Sequence, residues 1–350
     1  MGDEPAPVPQ TGPLEDGILR SMAHPKLLLP NEYVTSATEH IKKAKKRVSF
    51  LSMIISDSPA TDSLIDALAG AAERGLDVVV AADNFTYGEL GGHFIPLQYY
   101  TKRSRETTKM ARALKKAGVK FRWLGRFSAM PFTGRTHTKC LIVDDTVYSF
   151  GGVNLHDENL AYTDYMFSIK DQQLALELHD EVARLIKADA ENFSYRSHEF
   201  SYKDKSSVLV DGGFQADSLI YRRATQLAKE ASEVLYVSQY CPAGRLAKEI
   251  KKVEKRKIYF NPPAMANPWN KLVIRTGMAL SGYSTLYKRT SYLHAKFIIF
   301  TMADGTKTAI TGSHNFMPGT VLFGTKEMAL QTSDKAIIAQ LESFYKKHVA

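Results

Sequence analysis

The chain has 350 residues, 44% hydrophobic and 24% charged, which excludes wholesale disorder and a polytopic membrane protein and leaves room for two core-bearing units. Lys plus Arg exceed Asp plus Glu by 46 to 37, an excess that draws the protein towards polyanions such as nucleic acid or an anionic bilayer. No run approaches the roughly 18 to 20 apolar residues of a membrane span, the start is acidic and Pro-rich where a secretory signal is basic, and Cys140 and Cys241 make no disulfide framework; the expectation is a cytoplasmic protein without a transmembrane anchor.

Residues 1–24 carry Pro5, Pro7, Pro9 and Pro13 with few large apolar groups, and are expected to be a flexible tail. Strand and helix patterns then alternate: a helix over 32–46, a strand over 48–55, a helix over 62–74 stopped by Gly75, and a buried strand over 76–82. A basic helix over 107–117 leads to a strand over 119–124, a strand pair over 141–143 and 147–150 flanks Asp144-Asp145-Thr146, and a long helix over 172–188 closes the first half. The polar and aromatic stretch 191–205 reads as a linker. A strand over 208–210, a helix over 217–232 and a strand over 234–240 repeat the order, so an internal duplication is the simplest account, with halves at 25–195 and 196–350.

The early strands are offset by 186 residues (48 to 234) and the later histidines by 157 (137 to 294), so the first half carries about 29 additional residues. They are assigned to 84–102, where Phe85, Tyr87, Phe94, Tyr99 and Tyr100 stand among Gly88, Gly91 and Gly92 as a substrate-contacting lid or ordinary packing. Cations cluster at Lys102, Arg103, Arg105, Lys109, Arg112, Lys115 and Lys116, and again at Lys251, Lys252, Lys255, Arg256 and Lys257; a solvated helix face explains such runs as readily as a binding surface.

Two blocks carry chemistry. His137-Thr138-Lys139 is followed by Asp144 and Gly151-Gly152-Val153-Asn154, and His294-Ala295-Lys296 by Gly312-Ser313-His314-Asn315. Strand alternation puts each histidine and its lysine on one face. Together they supply displacement at a phosphodiester: one imidazole attacks phosphorus, the other protonates the leaving alkoxide and then activates the incoming water or alcohol. Lys139 and Lys296 neutralise the non-bridging oxygens, Asn154 and Asn315 donate amide hydrogen bonds, and glycines such as Gly152 let the backbone come close. Fixed cations replace a metal, so no cofactor is expected. An acid follows each block, Asp164 ten residues after Asn154 and Glu327 twelve after Asn315, placed to hold an imidazole in its working tautomer.

These residues resemble the phospholipase D superfamily motif His-x-Lys-x4-Asp-x6-Gly-(Gly/Ser)-x-Asn, which the first copy fits throughout. Gly151 to Asn159 and Leu293-His294-Ala295-Lys296 are similar to runs in the bacterial cardiolipin synthase branch. The resemblance implies an α/β fold of two pseudo-symmetric halves, each a mixed sheet flanked by helices, with the motifs meeting between them. It also implies a phosphohistidine, with His137 as nucleophile and His294 as acid or the reverse, in a site that a monomer completes.

Three departures stand out. Thr301 replaces the aspartate of the second copy, the membrane helices of many synthases are missing, and Gly312 to Phe316 lacks the Asp-x-Arg-Ser of synthases and looks nuclease-like. The leading expectation is a cardiolipin synthase-like phosphatidyltransferase or phospholipase D, peripheral on the inner face of a membrane and partnered by anionic head groups. The alternatives are a metal-independent nuclease or DNA-end phosphodiesterase, and a scaffold that has lost activity.

Overall fold

A computed structural model describes residues 25–84, 102–125 and 134–350. The expected tail 1–24 and all but the ends of 84–102 lie outside these residues. Chain order in the first half is β1 Lys26–Leu28, α1 Pro30–Lys43, β2 Arg47–Ser52, α2 Asp62–Glu73, β3 Asp77–Asp83, α3 Lys102–Lys116 and β4 Lys120–Leu124. It continues through β5 Cys140–Val143, β6 Thr146–Ser149, α4 Asp157–Leu160, β7 Met166–Lys170 and α5 Gln172–Ala190. Then come β8 His198–Ser201, β9 Ser206–Gly212, α6 Leu219–Glu230, β10 Ala231–Val237, α7 Gly244–Lys252 and β11 Lys255–Tyr259. The last elements are α8 Pro268–Ser281, β12 Phe297–Met302, β13 Lys307–Gly312, α9 Pro318–Phe323, β14 Lys326–Thr332 and α10 Lys335–Phe344.

Two seven-stranded mixed sheets result, ordered β1-β7-β6-β5-β2-β3-β4 and β11-β10-β12-β13-β14-β9-β8. Reversing the first order superposes six strands: β3, β2, β5, β6, β7 and β1 match β11, β10, β12, β13, β14 and β9. The strands left over are β4 and β8. The additional length of the first half therefore includes the edge strand β4, beyond the loop to which it was assigned. Likewise 191–205 holds more than a linker, because β8 pairs antiparallel with β9 from His198↔Val210 to Ser201↔Ser207. Its burial alternates only between intermediate and exposed, as an edge strand's does, which is why its composition reads as a connection.

Strand alternation divides the core three ways. Val48 and Phe50 of β2 face α1, α2 and α3, whereas Leu51 faces the second sheet. In β12, Ile298 and Phe300 face α6 and α7, and Phe297 and Ile299 face the first sheet. The central cluster thus joins both sheets through Leu174, Leu178 and Val182 of α5 and Ile337, Leu341 and Phe344 of α10. Local signals fix these helices: Asp171 caps α5 by accepting the Leu174 N–H, and Asp334 caps α10 through the N–H groups of Ala336 and Ile337.

Candidate active site

The two blocks meet where the sheets face each other, on extended segments that run into β5 and β12. Each segment is tied to the opposite half. Thr136 bridges Lys326, whose carbonyl accepts the N–H groups of His137 and Thr138 at 2.9 and 3.1 Å. Leu293 bridges Thr163, whose carbonyl accepts those of His294 and Ala295, both at 2.9 Å. Each segment is also braced from within its own sheet: Asp83, at the end of β3, accepts the Thr136 N–H, and Asn261, just after β11, accepts the Leu293 N–H.

The same exchange governs the side chains. Nδ1 of His137 lies 2.9 Å from Oε2 of Glu327, and Nδ1 of His294 lies 2.7 Å from Oδ2 of Asp164. Each acid follows one block and serves the histidine of the other. Both carboxyls are 1% exposed, and although burial raises their proton affinity, the facing histidine outweighs it and holds each below the usual carboxylate range. A carboxylate only accepts, so Nδ1 carries the proton in both rings and Nε2 keeps its lone pair. Burial pushes both imidazoles down and favours that neutral form, with Lys296 adding to the effect at His294.

The lysines fold back onto their own motifs. Lys139 Nζ donates to the His137 carbonyl at 2.8 Å, and Lys296 Nζ to the His294 carbonyl at 2.5 Å. Two ammonium groups in one desolvated site disfavour each other's charge: burial, and then Lys296, push Lys139 down to about 7, and burial pushes Lys296 down to about 8. The Oδ1 atoms of Asn154 and Asn315 are buried and have no hydrogen-bond partner among the described residues. Two proton acceptors and two poorly solvated cations therefore share one site, and the unengaged amides of Asn154 and Asn315 belong to the same two motifs.

Gly152 and Ser313 occupy the same motif position and do different work. A Cβ on Gly152 would stand 2.8 Å from Asp164 Oδ2 and 2.9 Å from the His294 carbonyl, so glycine admits the acid–histidine pair. Ser313 instead donates its hydroxyl to Glu327 Oε2, helping to fix that acid.

Asp144 requires a correction, because it does not join this group. It follows the last residue of β5, seven residues and roughly 23 Å of extended chain beyond His137. There, at φ 51°, its carboxylate accepts the N–H groups of Lys45, Lys46 and Arg47 at 2.8, 2.9 and 3.1 Å. Thr301 occupies the corresponding distal end of β12, paired with Lys307, so the departure of the second copy lies away from the histidines. Asp304 accepts from Thr306 within its own turn.

Other residues at the site have no counterpart in the repeat. Tyr162 packs beside the His294 ring at 5.9 Å and against Tyr292 at 5.0 Å. The Tyr292 hydroxyl accepts from Gln239 and from Asn270 of α8, and Asn270 in turn accepts from the Tyr240 hydroxyl. His314 is buried, its Nδ1 accepting the Phe316 N–H and its Nε2 facing Thr320 Oγ1. Sequence spacing gave no signal for the tyrosines, Gln239 and Asn270, which come from connections in which the halves differ, whereas His314 lies inside the second block at the position of Val153.

Residues 37–186 match the family model described as cardiolipin synthase, phospholipase D-like domain. Over these residues the chain is similar to the phospholipase D superfamily. Its fold is similar to that of the phosphatidylserine synthase of Haemophilus influenzae Rd KW20, with a TM-score of 0.67 and 16% identity over 93% of this chain and 87% of that one. It is also similar to the polyphosphate kinase of Porphyromonas gingivalis, with a TM-score of 0.57 and 11% identity over 91% of this chain and 49% of that one. No curated protein sequence matches the chain. The first phospholipase D-like block falls inside the matched residues; the second is related to it by the fold and the repeated motif. Among the described residues, no helix is long and apolar enough to cross a membrane.

Proposed function

We propose that this phospholipase D-like protein exchanges or hydrolyses phosphodiester bonds of phospholipids through a phosphohistidine, as a phosphatidyltransferase or phospholipase D at the inner face of a membrane. The observation that carries the chemistry is the reciprocal pairing of His137 with Glu327 and His294 with Asp164, which leaves two Nε2 atoms available. Nε2 of His137 attacks phosphorus, the P–O bond to the leaving alkoxide breaks, and the imidazolium of His294 delivers its proton to that oxygen. The incoming water or alcohol then gives its proton to His294 as its oxygen attacks, and the N–P bond breaks. A bound phosphodiester anion supplies the counter-charge that lets His294 and both lysines hold protons in the complex. Asn154 and Asn315 contribute amide contacts to the equatorial oxygens.

The lipid reading rests on the cardiolipin synthase model that residues 37–186 match, and on the net basic charge. It is tested by incubating the protein with phosphatidylglycerol vesicles, beside single-stranded DNA in EDTA, with His137→Ala as control. Formation of cardiolipin or phosphatidic acid, lost in the variant, is expected. DNA cleavage with no lipid product overturns the substrate, and equal activity of His137→Ala overturns the mechanism. Mapping a trapped phosphohistidine to His294 reverses the two roles.

A further inference from the structure

Helix α8 is anchored by few residues. Only Ile274 and Gly277 of its fourteen are buried, whereas Trp269, Leu272 and Leu280 are 36, 57 and 79% exposed. Leu272, Thr276 and Leu280 follow at spacings of four, so they form one stripe along the solvent side. An apolar stripe of this length on water is unfavourable unless something covers it.

The surroundings indicate what that is. Gly282 ends α8 at φ 72°, and the Lys251 ammonium of α7 stands 3.7 Å from where its Cβ would be. Lys251 and Lys248 have no carboxylate within ion-pair distance among the described residues, and neither do Lys271 and Arg275 on α8 itself. An apolar stripe bordered by unneutralised cations matches an interfacial helix, apolar side in the acyl boundary and cations among anionic head groups. Its first turn reaches the active site through Asn270, Tyr292 and Tyr162 to His294. On the other flank of the site, Leu322 of α9 is 62% exposed, four residues before Lys326, whose carbonyl holds His137.

We infer that α8, with the lysines of α7 beside it, docks the protein on an anionic lipid bilayer with the active site opening towards the head groups. The inference rests on the lipid reading of the site and is tested independently of turnover. His137→Ala protein is sedimented with vesicles of phosphatidylcholine containing or lacking phosphatidylglycerol. Binding to the anionic vesicles is expected, weakened on the order of tenfold by each of Leu272→Ser and Leu280→Ser. Lys248→Glu and Lys251→Glu should each weaken it by about fivefold or more, less so at high salt. In Trp123→Phe protein, Trp269 alone reports, and its emission should shift to the blue on binding.

Unchanged vesicle binding by the leucine variants, with native circular dichroism, overturns the inference. So does a single-stranded oligonucleotide whose binding falls in the leucine and lysine variants alike while vesicles are ignored. Leucine variants should turn over a soluble short-chain phosphatidylglycerol like the unaltered protein. Docking without turnover of any lipid defeats the proposed activity and leaves docking standing; turnover of the short-chain lipid without docking does the reverse.

Discussion

Asp144 shows how a residue can belong to a motif and not to its chemistry. Although partial burial raises its carboxyl, the N–H groups of Lys45, Arg47 and Lys46 bring it below the usual range. A group so depressed stabilises the fold above its unfolded pKa, and that contribution fades as pH falls through the folded value. Solvent screens much of this, so Asp144→Ala should lower stability by about 0.5–1.5 kcal/mol while leaving kcat within twofold, as read by denaturant melts beside the phosphodiesterase assay. The lysines give the opposite kind of test. With Lys139 at about 7 and Lys296 at about 8 in the free protein, cationic charge is lost as pH rises through that range, so kcat/KM for an anionic diester should fall on that limb. Burial pushes both histidines below their ordinary value, which favours the neutral form in the free protein over the range in which the lysines titrate. A kcat/KM that climbs steadily from pH 7 to 9 would refute the charge assignment.

At the scale of elements, the crossed pairs follow from where two strands begin. Thr163, just before β7, and Lys326, the first residue of β14, bridge the segments ahead of β12 and β5, which carries Asp164 and Glu327 across to the histidines. Asp164→Asn or Glu327→Gln keeps the shape but not the tautomer, and each should reduce kcat about 10²- to 10⁴-fold with little change in KM. Thr301→Asp should restore nothing, because the distal end of β12 is remote from the reacting atoms; a gain in turnover would return the motif aspartate to the mechanism. The histidines, lysines and asparagines were legible in the sequence because His-x-Lys and Gly-(Gly/Ser)-x-Asn are local patterns. Spacing also pointed to both acids. Which acid serves which histidine was not legible, because that pairing depends on contacts 130 and 190 residues apart. The polar edge strand β8 and the Gln239, Asn270 and Tyr292 network lack both periodicity and a repeat partner, so neither could be read beforehand.

For the whole molecule, the central cluster decides how the halves behave. Leu51, Ile142 and Phe167 of the first sheet share it with Val208, Phe297 and Leu330 of the second, so neither sheet keeps its inner face covered alone. Calorimetry should give one unfolding peak for the described fold, and two well-separated peaks would show that the shared core does not couple the halves. The duplication was legible as a repeated order of elements, whereas the faces that meet were not, because β2 and β12 bury residues on both faces. The exchanged acids bear on ancestry as well. A single half holds a histidine, a lysine and an asparagine, yet the carboxylate beside its histidine always comes from the other. Two identical subunits around a twofold axis would close that circuit symmetrically, so a homodimer is the natural ancestor of this chain. Once fused, the copies could drift apart wherever the exchange was untouched, as Ser313 opposite Gly152 and Thr301 opposite Asp144 have done.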